Sequence, residues 1–133
     1  MKVRLLIFLV AAVGFLILPV PMFAHHGTAG SDMTKTITLR GTVTQFEFIN
    51  PHALLYFDVK DDKGNIEKWS SEAAPLSLLA RRGWSRNSLM PGDQITISGH
   101  PAKGGAHALW IQKIVLSNGQ ELIGHPEGQG EDR

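Results

Sequence analysis

"KTITLRGTVTQFEFIN" (residues 35–50) decides the fold of this chain. Ile37, Leu39 and Val43 keep one phase of a two-residue alternation, and Phe46 and Phe48 resume on the other. Side chains of a strand point to opposite faces in turn, so a single slip of phase implies a β-bulge between Val43 and Phe46. Gly41 permits a sharp bend close to it. A long strand that turns a corner can belong to both halves of a closed barrel.

The remaining segments fit that reading. "ALLYFDVK" (53–60) is a second strand, "DDKG" (61–64) a hairpin turn, and "NIEKWSSE" (65–72) a third strand. "APLSLLARRG" (74–83) reads as a short helix, with Pro75 suited to its first turn and Gly83 to its C-terminal cap. "MPGD" (90–93) turns into "QITISGH" (94–100), and "HALWIQKIVLSNGQELI" (107–123) supplies a strand, a turn and a short last strand. Three strands, a helix and two more strands is the order of an OB-like five-stranded Greek-key barrel, an all-β fold with one short helix. The alternative is an open antiparallel sheet or sandwich with the helix on one face. The expected core is Ile37, Leu39, Val43, Phe48, Leu55, Phe57, Val59, Ile66, Leu79, Ile95, Ile97, Leu109, Ile111, Ile114 and Leu116.

Ahead of the folded part, Lys2 and Arg4 give a basic start and "LLIFLVAAVGFLIL" (5–18) an apolar core. Pro19 and Pro21 then break any helix before a small Ala24. This is the order of an export signal, cut after Ala24. The rival reading is a retained membrane anchor, since Leu5 to Ala24 carries no charge. The expected organisation is a signal peptide (1–24), a flexible lead-in (25–34), a barrel domain (35–123) and a disordered tail (124–133).

Removing 24 residues from 133 leaves 109, enough for one domain with a single core. Loss of Lys2 and Arg4 takes 13 basic residues to 11 against 12 acidic ones, a formal charge of −1. Bulk charge therefore argues against nucleic acid as a partner. The chain has no cysteine, which excludes a lipid-anchored lipoprotein, disulfides and thiolate metal sites. The expected location is the periplasm or the exterior, with no stable membrane anchor after cleavage and no protein partner named by the sequence.

"AHHG" behind a signal, "GTVTQFEFINPHALLYFDV", the Trp69 of "EKWSSE", "RRGWSRNSLMPGDQITISGHPAKGG" and "LSNGQEL" occur here in order. In these motifs the chain resembles a family of small secreted bacterial proteins of unknown function marked by a central Asn-Pro-His motif. Asn50, Pro51 and His52 match that motif. The resemblance implies export and one β-rich domain, and it carries no activity.

Function therefore rests on the residues. Asn50-Pro51 favours a turn, because proline fixes its own φ and pushes the preceding residue toward an extended conformation. One reading gives Asn50 the corner between strands and His52 a backbone hydrogen bond. The other has Pro51 aim His52 at a ligand, for which neutral imidazole suits zinc or copper. Cleavage after Ala24 would join the free α-amine and imidazole of His25 in one chelate, and His26 and His52 would complete a nitrogen-rich metal site. His100 and His107 flank the loop "PAKGGA" and could face each other across it. His125 lies in the tail and joins no candidate site.

Trp69, Trp84, Trp110 and Tyr56 form a candidate aromatic face for a small molecule. Arg81 and Arg82 near Trp84 suit the last turn of a helix, where cations complement the helix dipole. Nucleophile elbows, phosphate loops and metalloprotease motifs are all lacking, so an enzyme is not expected. The sequence points to an exported ligand-binding module with copper or zinc as the concrete ligand. A structural or partner-binding periplasmic domain is the alternative, and a small-molecule binder another. Export is expected to remove Met1 to Ala24, which the intact mass of exported protein checks. A mass that retains those residues, found in a membrane fraction, would mean an anchor and no free amine at His25.

Overall fold

The computed structural model describes residues 27–126. A 3₁₀ turn at Gly27–Gly30 precedes strands β1 (Ile37–Phe48), β2 (His52–Lys60) and β3 (Ile66–Pro75). Helix α1 (Leu76–Arg81) follows, then β4 (Gln94–Pro101), β5 (Ala108–Leu116) and β6 (Glu121–Ile123). Among the described residues no helix is long and apolar enough to cross a membrane.

The strands run in the order β3-β2-β1-β4-β5-β6. A parallel pairing of Ser70, Ser71 and Glu72 on β3 with Ala108, Leu109 and Trp110 on β5 closes five of them into a mixed barrel. β6 lies beyond the ring, paired with the second half of β5. Closure rules out the open sheet and the sandwich. It depends on β1, whose first half pairs with β4 and whose second half pairs with β2, with Thr42 in register with both Asp58 and Gln94. The β1–β2 register shifts between Val43 and Gln45, the bulge that the alternation implies.

Alternation then fills the interior. Ala53, Leu55, Phe57 and Val59 of β2 are buried, as are Ile95 and Ile97 of β4 and Leu109, Ile111 and Ile114 of β5. Each large side chain buried in this way contributes about 1.5–3 kcal/mol. Helix α1 has only six residues, too few to hold by propensity, and it is fixed by burying Leu79 against the barrel. Pro75 is the last residue of β3 and the N-cap of α1, and Gly83 follows the C-cap with φ of 86°. Trp84 then folds back, with its amide donating to the Leu79 carbonyl and its indole Nε1 to the Ile123 carbonyl at 2.9 Å.

Several expectations need correction. Ile66 is exposed, because it opens β3 at the end of the hairpin, where the barrel wall has no neighbouring layer. Ile37, Leu39, Phe48 and Leu116 are only partly buried, packed against the core cluster rather than within it. Ala53, Ala73, Ala74, Trp84, Leu89 and Leu122 enter the core instead. The lead-in is partly built into the fold, since Ser31 bridges to Ala102 and the Asp32 amide donates to the Pro101 carbonyl. At the other end, the amides of Gly124 and His125 both donate to the Gln112 carbonyl, so the fold runs past residue 123. The segments 1–24 and 127–133 lie outside the described residues.

Gly41 keeps an ordinary φ, and closeness is what requires it. A Cβ there would stand 2.8 Å from the Asp58 carbonyl oxygen and 2.8 Å from Phe57 Cδ2. Gly41→Ala is therefore expected to destabilise the barrel by about 1–3 kcal/mol, because a packed wall must shift to admit the methyl group. Denaturant titration measures this, and an unchanged midpoint would show that the wall yields freely.

Candidate functional site

The outer face of the closure seam carries the polar groups. On β2, Leu54 and Tyr56 point away from the core, and their partners on β3 are Glu72 and Ser70. The parallel register sets Glu72 beside Trp110 and Ser70 beside Ala108. These residues, with Gly30, Ser31 and Ala102 on one side, line a cleft of about 350 Å³. Ser71 and Leu109 also border it, but Ser71 is in register with the core residue Leu55.

His52 opens β2 directly after a cis Asn50–Pro51 peptide bond. Its Nδ1 is hydrogen-bonded to Glu72 Oε1, a carboxylate rather than a backbone group. Glu72 is the register partner of Leu54, two residues on from His52, so His52 and Glu72 lie diagonally across β2 and β3. The Pro51 carbonyl accepts from the Leu76 amide at 3.4 Å, which ties the corner to α1.

Trp110 is 6% exposed, yet its indole Nε1 has no hydrogen-bond partner. The His52 ring meets it edge-on at 6.2 Å between centroids, and the His125 ring does so at the same separation. His125, set aside on sequence grounds as a tail residue, thus packs on the indole that borders the cleft. No local signal announces this, because the contact depends on β6 turning the chain back along β5.

The remaining candidates separate. His25 and His26 lie outside the described residues. His100 is buried, with Nδ1 at 2.7 Å from the Lys35 carbonyl, while His107 is exposed and stacks on Trp69 at 4.8 Å. The two therefore do not face each other across the loop. The four aromatic candidates do not make one face either. Tyr56 and Trp110 share the cleft, Trp69 stacks between Phe57 and His107, and Trp84 is buried in the core. Arg81 ends α1 as expected, and Arg82 donates to the Gly124 carbonyl. Among the described residues no group of three or more His, Cys, Asp or Glu could hold a metal ion.

Residues 14–110 match the model of DUF6152, a family of unknown function. This chain belongs to that family. The DUF6152 match begins ahead of His25 and His26, takes in Asn50, Pro51, His52 and Glu72, and ends on Trp110. His125 and β6 lie beyond it. No curated protein matches the chain.

Asp32 anchors the lead-in that walls the cleft. The Thr34 hydroxyl donates to its carboxylate, Lys35 lies 3.0 Å away, and these hydrogen bonds lower its pKa from 3.8 to about 2. A carboxyl held down in the folded state stabilises it above the unfolded pKa and loses that contribution as the acid form returns. The anchor is expected to stay intact at pH 4 and to fail as the pH falls through about 2. Side-chain NMR titration of Asp32 checks this, and a midpoint at the ordinary 3.8 would contradict it.

Proposed function

We propose that this protein is an exported metal-binding module whose site joins the chain's N-terminal histidines to His52. The observation that carries the reading is the bond between His52 Nδ1 and the Glu72 carboxylate. Histidines that ligate metal almost always pass their second ring nitrogen to a carboxylate or carbonyl, which fixes the tautomer and raises the basicity of the ligating nitrogen. Glu72 does this for His52 and leaves Nε2 for a metal.

His52 and Glu72 are too few to hold an ion, so further donors must come from elsewhere. Gly30 and Ser31 line the same cleft as Glu72, and only the 3₁₀ turn Gly27–Gly30 joins His26 to that lining, so His25 and His26 stand a few residues ahead of it in the chain. Export and cleavage after Ala24 would free the amine of His25, giving a chelate of amine and imidazole with His26 or His52 as the next ligand. A nitrogen-rich set without thiolate favours copper(II), with zinc second in affinity.

The test compares copper and zinc affinity for processed protein, His52→Ala, Glu72→Gln and a version with one extra residue before His25. The substitution at His52 and the extension are each expected to weaken copper binding by about tenfold or more, and Glu72→Gln by about tenfold. Equal affinities across the set would end the shared site and leave His52 with a structural role at its corner.

A further inference from the structure

We infer that a second groove, on the outer face of β1, β4, β5 and β6, binds a free α-amino acid with a polar, uncharged side chain. The groove holds about 580 Å³ and shares no lining residue with the cleft at the closure seam. Its floor is a row in register across four strands: Thr38 on β1, Ser98 on β4, Lys113 on β5 and Ile123 on β6.

A bulge equips this floor. The β4–β5 register pairs Gly99 with Ile111 and Ser98 with Lys113, which leaves Gln112 as the extra residue. Gln112 and Lys113, consecutive in the strand, therefore both line the groove, while Ile111 and Ile114 on either side stay in the core. The amides of Gly124 and His125 hold the bulge by donating to the Gln112 carbonyl.

The side chains narrow the ligand class. Gln112 is 8% exposed, and its Oε1 accepts from the Thr36 hydroxyl at 3.2 Å. Its Nε2, which still meets solvent, has no partner among the described residues, so a ligand oxygen that accepts from it gains affinity. Lys113 Nζ lies 3.3 Å from Glu121 Oε1, and both side chains are about half exposed. Such a pair is weak, so a ligand can replace it at little cost. An α-amino acid carries an ammonium and a carboxylate on one carbon, a spacing that suits Glu121 and Lys113 as they stand. Because these two charges balance, a ligand with net charge of either sign would meet a like charge beside its counter-charge. A hydrocarbon would leave Gln112 Nε2 unmatched. An amide side chain lying along the floor meets Gln112 Nε2 and the hydroxyls of Thr38 and Ser98, with its methylenes against Ile123.

The groove stands apart from the metal reading, so protein stripped of metal with EDTA tests it alone. Backbone amides and the Gln112 side-chain amide are followed by NMR during titration with L-glutamine. N-acetylglutamine removes the ammonium, 4-aminobutanamide the carboxylate, and alanine the side-chain amide. The expected result is a saturable shift at Ser98, Gln112 and Lys113 with Tyr56 and Ser70 unmoved, and binding of glutamine about tenfold tighter than of each analogue. Lys113→Met and Glu121→Gln should each weaken glutamine binding by about tenfold, as should Gln112→Leu. Lys113 and Glu121 are exposed enough that their variants keep the test open if Gln112→Leu does not fold. No saturable shift with glutamine, equal affinity for N-acetylglutamine, or unchanged affinity in Lys113→Met would overturn the inference.

Discussion

Three residues on each of two strands hold this architecture together: Ser70, Ser71 and Glu72 paired in parallel with Ala108, Leu109 and Trp110. Without that contact, β3 and β5 would present open edges to solvent, a liability for a small domain that has no disulfide. With it, one core fills the ring, and Phe57, Leu55, Ile97, Ile111 and Ile114 become almost fully buried. The pairing needs β1 to turn from β4 to β2, which the bulge after Val43 and the absence of a side chain at Gly41 allow.

The same seam builds the candidate site. Parallel pairing sets Glu72 next to Trp110, and the β2–β3 hairpin sets His52 diagonal to Glu72. The start of the fold then comes alongside, through Ser31 at Ala102, and its end returns through His125 against Trp110. Residues far apart in sequence thus meet on one outer face, while the interior is mostly apolar. Function in such small barrels resides in surface sites of this kind rather than in the fold itself.

Much of this was legible in the sequence. The phase slip after Val43 announced the bulge, the "DDKG" turn announced the hairpin, and Pro75 and Gly83 bracketed the helix closely. Ile66 misled because periodicity cannot tell that a strand end has no layer above it. The alanines of the core were overlooked because small residues carry little hydropathy signal. Glu72 could have been found: the register that pairs Lys60 with Ile66 carries through to Leu54 and Glu72, and so to the neighbourhood of His52. His125 and the separation of His100 from His107 were beyond local reading, since they follow from strand pairings that only the closed barrel fixes.

The central claim is that the chain's N-terminal histidines and the His52–Glu72 pair form one metal site at the closure seam. Paramagnetic broadening by substoichiometric copper(II), followed residue by residue in NMR spectra of processed protein, tests it most directly. The account predicts that signals of Ser31, His52, Glu72 and the Trp110 indole disappear first, while those of the opposite wall, such as Arg40 and Thr96, persist. Broadening confined to the residues next to His25, with His52 and Glu72 untouched, would contradict it.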